Sequence, residues 1–312
     1  MTAAAPRSVA PAAFARARAA ARGRLGLRND RQLVVCGFPR GGTSLLYNML
    51  SATLPGFRFA EFEQAAAKTL PLPGDRASKW PMDVLRLPRV VNKNAAGLRK
   101  DLLFVIVVRD LRDVITSVHP NAPDRYFCGY ADRWSPRGGH PYTLVATDQG
   151  VAAVHAGIRR AFKLRDVGAA TVVRVDYEAL VADADAVQAH LADALGLRFD
   201  GRFSGFAARG DRHAYRYEGA RAPVDAARAA RENAAVDPAR TGRWRRPEFA
   251  ARLRQQFTAH PELFALLRHY GHAADDRWFE DLPAADLPGT AADGGPGRPA
   301  GVPASPPVRR AA

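Results

Sequence analysis

One stretch, residues 33–50 (LVVCGFPRGGTSLLYNML), constrains the fold of this chain more than any other. It opens with an uninterrupted apolar run, which is typical of a buried parallel strand. A turn rich in glycine and proline follows, and then Thr43 and Ser44, two residue types that favour the start of a helix. From Leu45 onward, apolar residues recur at helical spacing. The stretch therefore predicts a strand, a tight turn and a helix in immediate succession.

This strand, turn and helix together predict an anion site. The backbone N–H groups of such a turn point to one place, and the helix dipole favours negative charge there. Arg40 adds a guanidinium group, which pairs well with phosphate or sulfate oxygens. The spacing is close to the triphosphate loop G-x-x-x-x-G-K-[ST], but Thr43 stands where that loop has its lysine. We therefore expect a phosphate-like group rather than a metal-bound triphosphate, the alternative being a plain connection that binds nothing.

The rest of the chain alternates strand and helix patterns. Strands are predicted at Phe57–Phe62, Arg89–Lys93, Asp101–Asp110 and within 170–180. Helices are predicted at 64–68, 82–87, 113–119, 151–167 and in a segment ending at Gly196, with a long loop at 121–142. Such alternation predicts an α/β fold, a P-loop-like three-layer sandwich with a central parallel sheet flanked by helices.

The domain organisation follows from composition. Residues 1–29 are a basic arm, residues 283–312 are a tail rich in Pro, Gly and Ala that we expect to be disordered, and one domain covers 30–282. The net charge of +15 weakly favours an anionic partner. The two cysteines form no framework, and Cys36 is expected to be a small core residue, which fits a reducing, cytoplasmic setting. No apolar stretch approaches the roughly 18 residues that a membrane span needs.

A second group of polar residues follows the apolar strand Asp101–Asp110. Arg109 ends that strand, and Ser117 lies one turn into a helix that we expect to start near Asp113. Parallel sheets bind ligands beyond the carboxyl ends of their strands, so Arg109 and Ser117 should face the same crevice as the glycine-rich turn. Together they would form a second anion site. The alternative is a plain ion pair between Arg109 and Asp113 at the start of the helix.

These two segments resemble motifs of the PAPS-dependent sulfotransferases, especially their bacterial and carbohydrate-type members. The phosphosulfate loop of that family, P-[KR]-x-G-[ST]-[ST], is similar to Pro39–Ser44, and its 3′-phosphate motif, R-[DN]-P-[RK]-D-x-x-x-S, is similar to Arg109–Ser117. Leu111 replaces the usual proline, and Leu45 stands where cytosolic members carry a tryptophan. The resemblance covers roughly residues 32–272.

The resemblance implies a binding site for the sulfuryl donor PAPS (3′-phosphoadenylyl sulfate) and no metal. Two further stretches are similar to the family: the strand and YEAL segment, whose tyrosine lies near the adenine, and ARTGRWRR, which looks like a late segment that closes over the nucleotide. The implied cofactor-binding residues are Arg40, Gly41, Gly42, Thr43, Ser44, Arg109, Ser117, Tyr177, Thr241, Gly242 and Arg243.

The transfer chemistry implies a cation on the moving group and another for the leaving oxygen. Arg40 is the candidate for the first role. A lysine commonly takes the second role in the family. Lys79 and Lys93 are the candidates here, and both stand out in a chain with very few lysines. A surface lysine without function is the alternative for each of them.

The acceptor hydroxyl needs a general base. Carbohydrate and tyrosyl-protein sulfotransferases use a glutamate after the second strand. The segment FRFAEFEQ offers Glu61 and Glu63 here, two residues apart and so on one face of a strand, with a slight preference for Glu61. His119 is a third candidate base, and a packing or capping role is its alternative.

The sequence thus predicts a sulfotransferase that moves a sulfuryl group from PAPS to a hydroxyl of a saccharide or glycolipid. The aromatic residues of the loop 121–142 are expected to help select that acceptor. The alternatives are a P-loop-type kinase, which the missing lysine disfavours, and a non-catalytic anion-binding or nucleic-acid-binding protein, for which no nucleic-acid motif is found. The acceptor's identity and the oligomeric state stay open.

Overall fold

A computed structural model describes residues 29–119, 122–137, 143–212 and 237–283. Its centre is a parallel sheet of five strands in the order β2-β3-β1-β4-β7. The strands of this sheet are β1 (Arg31–Gly37), β2 (Arg58–Phe59), β3 (Arg76–Lys79), β4 (Asp101–Val108) and β7 (Thr171–Asp176). Two further strands, β5 (Arg133–Arg137) and β6 (Thr143–Thr147), pair with each other in antiparallel orientation.

Helices cover the sheet and form the C-terminal part of the described chain. They are α1 (Thr43–Thr53), α2 (Ala66–Thr69), α3 (Leu87–Lys93), α4 (Leu111–Ile115), α5 (Val151–Asp166), α6 (Tyr177–Ala182), α7 (Ala184–Leu195), α8 (Ala250–Ala259), α9 (Glu262–Tyr270) and α10 (Arg277–Glu280). None of these helices is both long enough and apolar enough to cross a membrane, within the residues that the structure describes.

The central strands bury both of their faces, which confirms the predicted three-layer arrangement. In β1, Val34 and Cys36 pack into a cluster with α5 and the C-terminal helices, while Leu33 and Val35 pack into a second cluster with α1 and α7. The residues of β4 alternate in the same way between the two clusters. A strand that is buried on both faces reads as a continuous apolar run, which is why β1 and β4 were predictable from sequence.

The predicted strand Arg89–Lys93 is wrong, because this segment belongs to helix α3. Pro88 lies at the start of the helix, where its missing N–H costs nothing. The buried residues are Leu87 and Val90, three apart, which is helical spacing rather than strand alternation. The β-branched pair in RVVNK suggested a strand, but tertiary packing outweighs that local preference.

The second predicted strand is shorter than expected, and a neighbouring one was missed. Phe57–Phe62 contributes only Arg58–Phe59 to the sheet, so Glu61 and Glu63 lie beyond the strand's end. The missed strand is β3, with the sequence RASK. It lies between β2 and β1, where its backbone pairs on both sides, although its side chains give no apolar pattern.

Three predicted helices and one predicted loop also differ from the structure. The helix predicted at 64–68 is α2, the one at 82–87 is a 3₁₀ turn, Pro81–Leu85, and the one near Asp113 begins at Leu111 and ends at Ile115. Asp110 caps that last helix by accepting the N–H of Arg112. The loop 121–142 contains β5, which pairs with the following strand β6. The predicted arm and tail lie outside the described residues, apart from Asn29 and Pro283.

Candidate active site

The glycine-rich turn lies at the carboxyl end of the central strand β1. Strand β1 has β3 on one side and β4 on the other, so the chain order reverses here, as at the ligand crevices of open parallel sheets. The turn is held by two backbone hydrogen bonds, from the Phe38 N–H to the Val107 carbonyl (3.1 Å) and from the Gly41 N–H to the Phe38 carbonyl (3.0 Å). Gly42 then caps α1, whose backbone donors point into the crevice.

The two predicted anion motifs meet in space. The Arg40 Nε donates to the Ser117 Oγ at 2.8 Å, across 77 residues of sequence. The Arg109 guanidinium donates through Nη1 to the carbonyl of Arg40 at 3.0 Å and through Nη2 to the carbonyl of Arg240. The carboxyl end of β4 is therefore bonded directly to the turn after β1. Ser117 lies just beyond the end of α4 rather than one turn into a helix.

Tyr177 closes the crevice on the side of β7. Its ring is buried at the start of α6 and lies under the Arg109 guanidinium, with 4.4 Å from Cζ to the ring centroid. Burial raises the pKa of the Tyr177 hydroxyl, so the phenol stays protonated at neutral pH. Gly42 adopts a φ of 93°, and a Cβ atom there would lie 2.2 Å from the tyrosine ring. Only glycine allows this turn and this ring to approach so closely.

Asp113 fixes the late segment over the same crevice. Its two carboxylate oxygens accept the backbone N–H groups of Gly242 and Trp244, both at 2.9 Å. The ion pair between Arg109 and Asp113, the alternative interpretation of this motif, is also present at 3.2 Å. The predicted residues Thr241, Gly242 and Arg243 are thereby brought beside the Arg109 end of β4.

The candidate catalytic residues Lys79 and Glu63 are in direct contact. The Lys79 Nζ lies 2.6 Å from the Glu63 Oε1, and the lysine side chain is 3% exposed whereas the glutamate is 43% exposed. Lys79 ends β3 and pairs in register with Val35 of β1, two residues before the glycine-rich turn begins. Glu61 is exposed, and the structure gives the lysine contact to Glu63 instead.

Lys93 and His119 occupy different surroundings. The exposed Lys93 Nζ donates to the Ala67 carbonyl at 2.9 Å, and the next residue, Asn94, is hydrogen-bonded to Lys100 at the amino end of β4. That is the edge of the sheet opposite the glycine-rich turn. His119 is buried, and its ring lies 5.3 Å from the ring of Phe127.

Three buried or half-buried ionisable residues support this edge of the sheet, and the sequence analysis assigned no role to any of them. Glu178 accepts the Asp110 N–H at 3.0 Å and so ties the start of α6 to the end of β4. Arg112 pairs with Asp110 and lies 3.8 Å from the centroid of the Trp244 ring. Asp83 accepts the Ala66 N–H at 2.7 Å. Glu178 directly follows the tyrosine of the YEAL segment, which could have marked it, whereas Asp83 carries no sequence signal.

Comparisons with known proteins find similarity at the level of fold. No protein-family model matches the chain, and no curated protein matches it. One similar solved structure is the sulfotransferase domain from the Synechococcus PCC 7002 olefin synthase, with 18% identity, a TM-score of 0.44, and coverage of 70% of this chain and 88% of that chain. Another is mouse sulfotransferase SULT7A1 complexed with PAP, with 14% identity, a TM-score of 0.33, and coverage of 79% and 89%. Both are sulfotransferases.

Proposed function

We propose that this protein is a PAPS-dependent sulfotransferase that transfers a sulfuryl group to a hydroxyl acceptor. The observation that carries the proposal is the hydrogen bond between Arg40 and Ser117. It joins the segment that resembles a phosphosulfate loop to the segment that resembles a 3′-phosphate motif, at the switch point of a parallel sheet. Two anion-binding motifs held side by side suit a nucleotide with phosphates on both its 5′ and 3′ sides.

The residues of the crevice fit such a donor. The loop amides and Arg40 would hold the 5′-phosphosulfate, because backbone donors at a helix start favour an anion. Arg109 and Ser117 would hold the 3′-phosphate, and the Arg109 Nε is a buried donor without a hydrogen-bond partner among the described residues. Tyr177 would border the adenine. The donor itself would supply the sulfuryl group and leave as adenosine 3′,5′-bisphosphate.

The pair formed by Lys79 and Glu63 suits the transfer. Lys79 is a buried cation at the sheet edge and would stabilise negative charge on the leaving oxygen. Glu63 would accept the proton of the acceptor hydroxyl, whose oxygen then bonds to the sulfur. The contact with Lys79 favours Glu63 over Glu61 as the base. Lys93 is left out of this proposal because it lies near the other edge of the sheet.

We further propose that the acceptor is a saccharide or glycolipid. Phe127 donates its N–H to the Ser117 carbonyl at 3.1 Å and accepts the Trp134 N–H at 3.0 Å, so Trp134 and Tyr126, the residue before Phe127, lie near the site, and both are partly exposed. Aromatic faces of this kind pack well against sugar rings.

The free, buried thiols of Cys36 and Cys128 are compatible with a reducing, cytoplasmic compartment.

The test is transfer of radiolabelled sulfur from PAPS to a panel of polysaccharides, glycolipids and phenols. We expect label on at least one sugar-containing acceptor, and loss of that label in the Lys79→Ala variant. Label on phenols alone would contradict the acceptor class. Transfer of label from γ-labelled ATP, with none from PAPS, would show a kinase instead.

A further inference from the structure

The most unusual buried group outside the residues discussed for catalysis is the carboxyl group of Asp83. Asp83 lies in the 3₁₀ turn that directly follows β3, four residues after Lys79, and it is 1% exposed. Its Oδ2 accepts the Ala66 N–H at 2.7 Å, while its Oδ1 is buried without a hydrogen-bond partner among the described residues. A buried carboxyl group with one oxygen unsatisfied is costly, so its presence calls for a role.

Among the described residues, the one hydrogen bond of the Asp83 carboxyl group fixes the start of α2, close to Glu63 in sequence. Ala66 begins α2 and is itself fully buried, and only two residues separate it from Glu63. A second bond, from the Gln64 N–H to the Lys79 carbonyl at 3.3 Å, holds the same connection from the side of β3. The segment from Glu63 to Ala66 is thus fastened at both ends to the strand and turn that contain Lys79 and Asp83.

We propose that Asp83 is a positioning residue, which holds the segment of Glu63 so that the glutamate stays opposite Lys79. The proposal rests on the proposed function, because it assigns Asp83 to the base of that reaction. Without the anchor at Ala66, the half-exposed Glu63 would be held by its contact with Lys79 and by the long hydrogen bond from the Gln64 N–H to the Lys79 carbonyl.

The surroundings of Asp83 favour its protonated form below about pH 7. Burial raises the pKa of Asp83 to about 7, and the negative charge of Glu63 adds to the rise, while the Ala66 N–H and Arg86 oppose it. The thiol of Cys36, on β1, is the other titratable group facing it, and burial raises its pKa as well. In its protonated form Asp83 adds no second negative charge near Glu63.

Three variants test this: Asp83→Ala, Asp83→Asn and, as the control, Asp185→Ala. Asparagine can still accept the Ala66 N–H, whereas alanine cannot. Asp185 is a carboxylate that accepts the Ser204 N–H at 2.9 Å, on the other side of the sheet, so its loss measures a generic effect. Amide hydrogen exchange of residues 60–69, nucleotide affinity, and the kcat and KM of transfer are measured for each variant.

We expect Asp83→Ala to speed exchange in residues 60–69 by tenfold or more, to lower kcat about tenfold, and to change nucleotide affinity less than twofold. Asp83→Asn should keep the exchange rate of residues 60–69 and kcat within threefold of the parent values. The pH profile of kcat should show an inflection near pH 7 in the parent protein but not in Asp83→Asn. Unchanged exchange in Asp83→Ala, exchange raised equally across the whole chain, or an Asp83→Asn variant as impaired as Asp83→Ala would overturn the proposal. The exchange readout needs no activity, so it remains decisive even if sulfuryl transfer is not observed.

Discussion

Arg109 joins three parts of the crevice, because its guanidinium group contacts the turn after β1, the carbonyl of Arg240 and the ring of Tyr177. We expect Arg109→Ala to weaken binding of adenosine 3′,5′-bisphosphate by about 1.5–3 kcal/mol, the usual value of a charged hydrogen-bonded partner. Calorimetry with this nucleotide and with adenosine 5′-phosphate measures it, since the preference for the 3′-phosphate should shrink in the variant.

A matched control for that substitution is Arg165→Ala. Arg165 pairs with Asp166 on the exposed surface of α5, and its removal should leave nucleotide affinity unchanged. If the parent protein binds the two nucleotides equally well, Arg109 does not hold a 3′-phosphate.

Glu63 is the proposed general base, and its substitution should slow turnover. Glu63→Gln should reduce turnover by roughly 10²–10⁴-fold, the usual contribution of a positioned general base, with little change in nucleotide affinity. Glu61→Gln is the natural control, because Glu61 is exposed and two residues away. Steady-state transfer assays decide between them, and a variant series in which only Glu61→Gln is slow would assign the base to Glu61.

Asp83 predicts an unusual dependence of stability on pH. Its pKa is raised to about 7 in the folded protein, so the folded state keeps a proton that the unfolded chain releases near pH 4. The free energy of unfolding should therefore fall as the pH rises from about 4 to about 7, by up to about 4 kcal/mol from this group. Asp83→Asn should remove that fall in denaturant titrations at pH 5 and pH 8. Asp185→Asn should leave the difference between pH 5 and pH 8 unchanged, since hydrogen bonds from Ser204 lower the pKa of Asp185 and this carboxylate is ionised in both states over that range. An Asp83→Asn variant with the parent's pH dependence would refute the assignment.

At the scale of elements, the close approach of the turn and α6 can be tested through Gly42. Gly42→Ala would combine a left-handed backbone with a Cβ atom 2.2 Å from the Tyr177 ring. We expect a loss of roughly 2–4 kcal/mol in stability, from strain and overpacking together. Gly196→Ala is the matched control, because Gly196 ends α7 with a φ of 63° but has open space around it, and it should lose only about 1 kcal/mol. Equal losses in thermal unfolding would mean that the tyrosine contact is not tight.

Elements buried on both faces were predictable, and elements defined by pairing were not. The runs that became β1 and β4 are apolar throughout, so burial alone identifies them. Strand β3 has the sequence RASK and exists because both of its neighbours offer backbone partners, which a local pattern cannot reveal. Helix α3 was missed for a different reason, because its β-branched residues suggested a strand whereas packing of Leu87 and Val90 favours a helix.

The site divides in the same way. The placement of Arg40 and Arg109 at one end of the sheet could be predicted, since each follows a recognisable strand, whereas Ser117 was proposed from its spacing after Arg109 and Tyr177 from the family resemblance alone. The partner of Lys79 could not be chosen, because Glu61 and Glu63 were placed on a strand that in fact ends at Phe59. The role of Asp83 could not be predicted, because it depends on a hydrogen bond from the backbone N–H of Ala66, which lies 17 residues away in sequence.

At the scale of the whole molecule, the crevice joins β1, β4, β7 and the late segment, so a ligand there should stabilise the entire domain. Adenosine 3′,5′-bisphosphate at a hundred times its Kd should add about 2.7 kcal/mol to the free energy of unfolding. For a domain of this size, that corresponds to a rise in Tm of about 5–10 °C. Differential scanning calorimetry measures the shift. The Arg109→Ala variant, at the same nucleotide concentration, should show a markedly smaller one, and equal shifts would contradict the assigned contacts.

Titration calorimetry of the parent protein with adenosine 3′,5′-bisphosphate, in the presence of EDTA and beside magnesium ATP, tests the account most directly. We expect the bisphosphate to bind without metal, and more tightly than magnesium ATP, because the turn has Thr43 in place of the triphosphate-binding lysine and Arg109 offers a guanidinium group to a 3′-phosphate. Binding of magnesium ATP with no binding of the bisphosphate, or loss of bisphosphate binding on chelation, would contradict it.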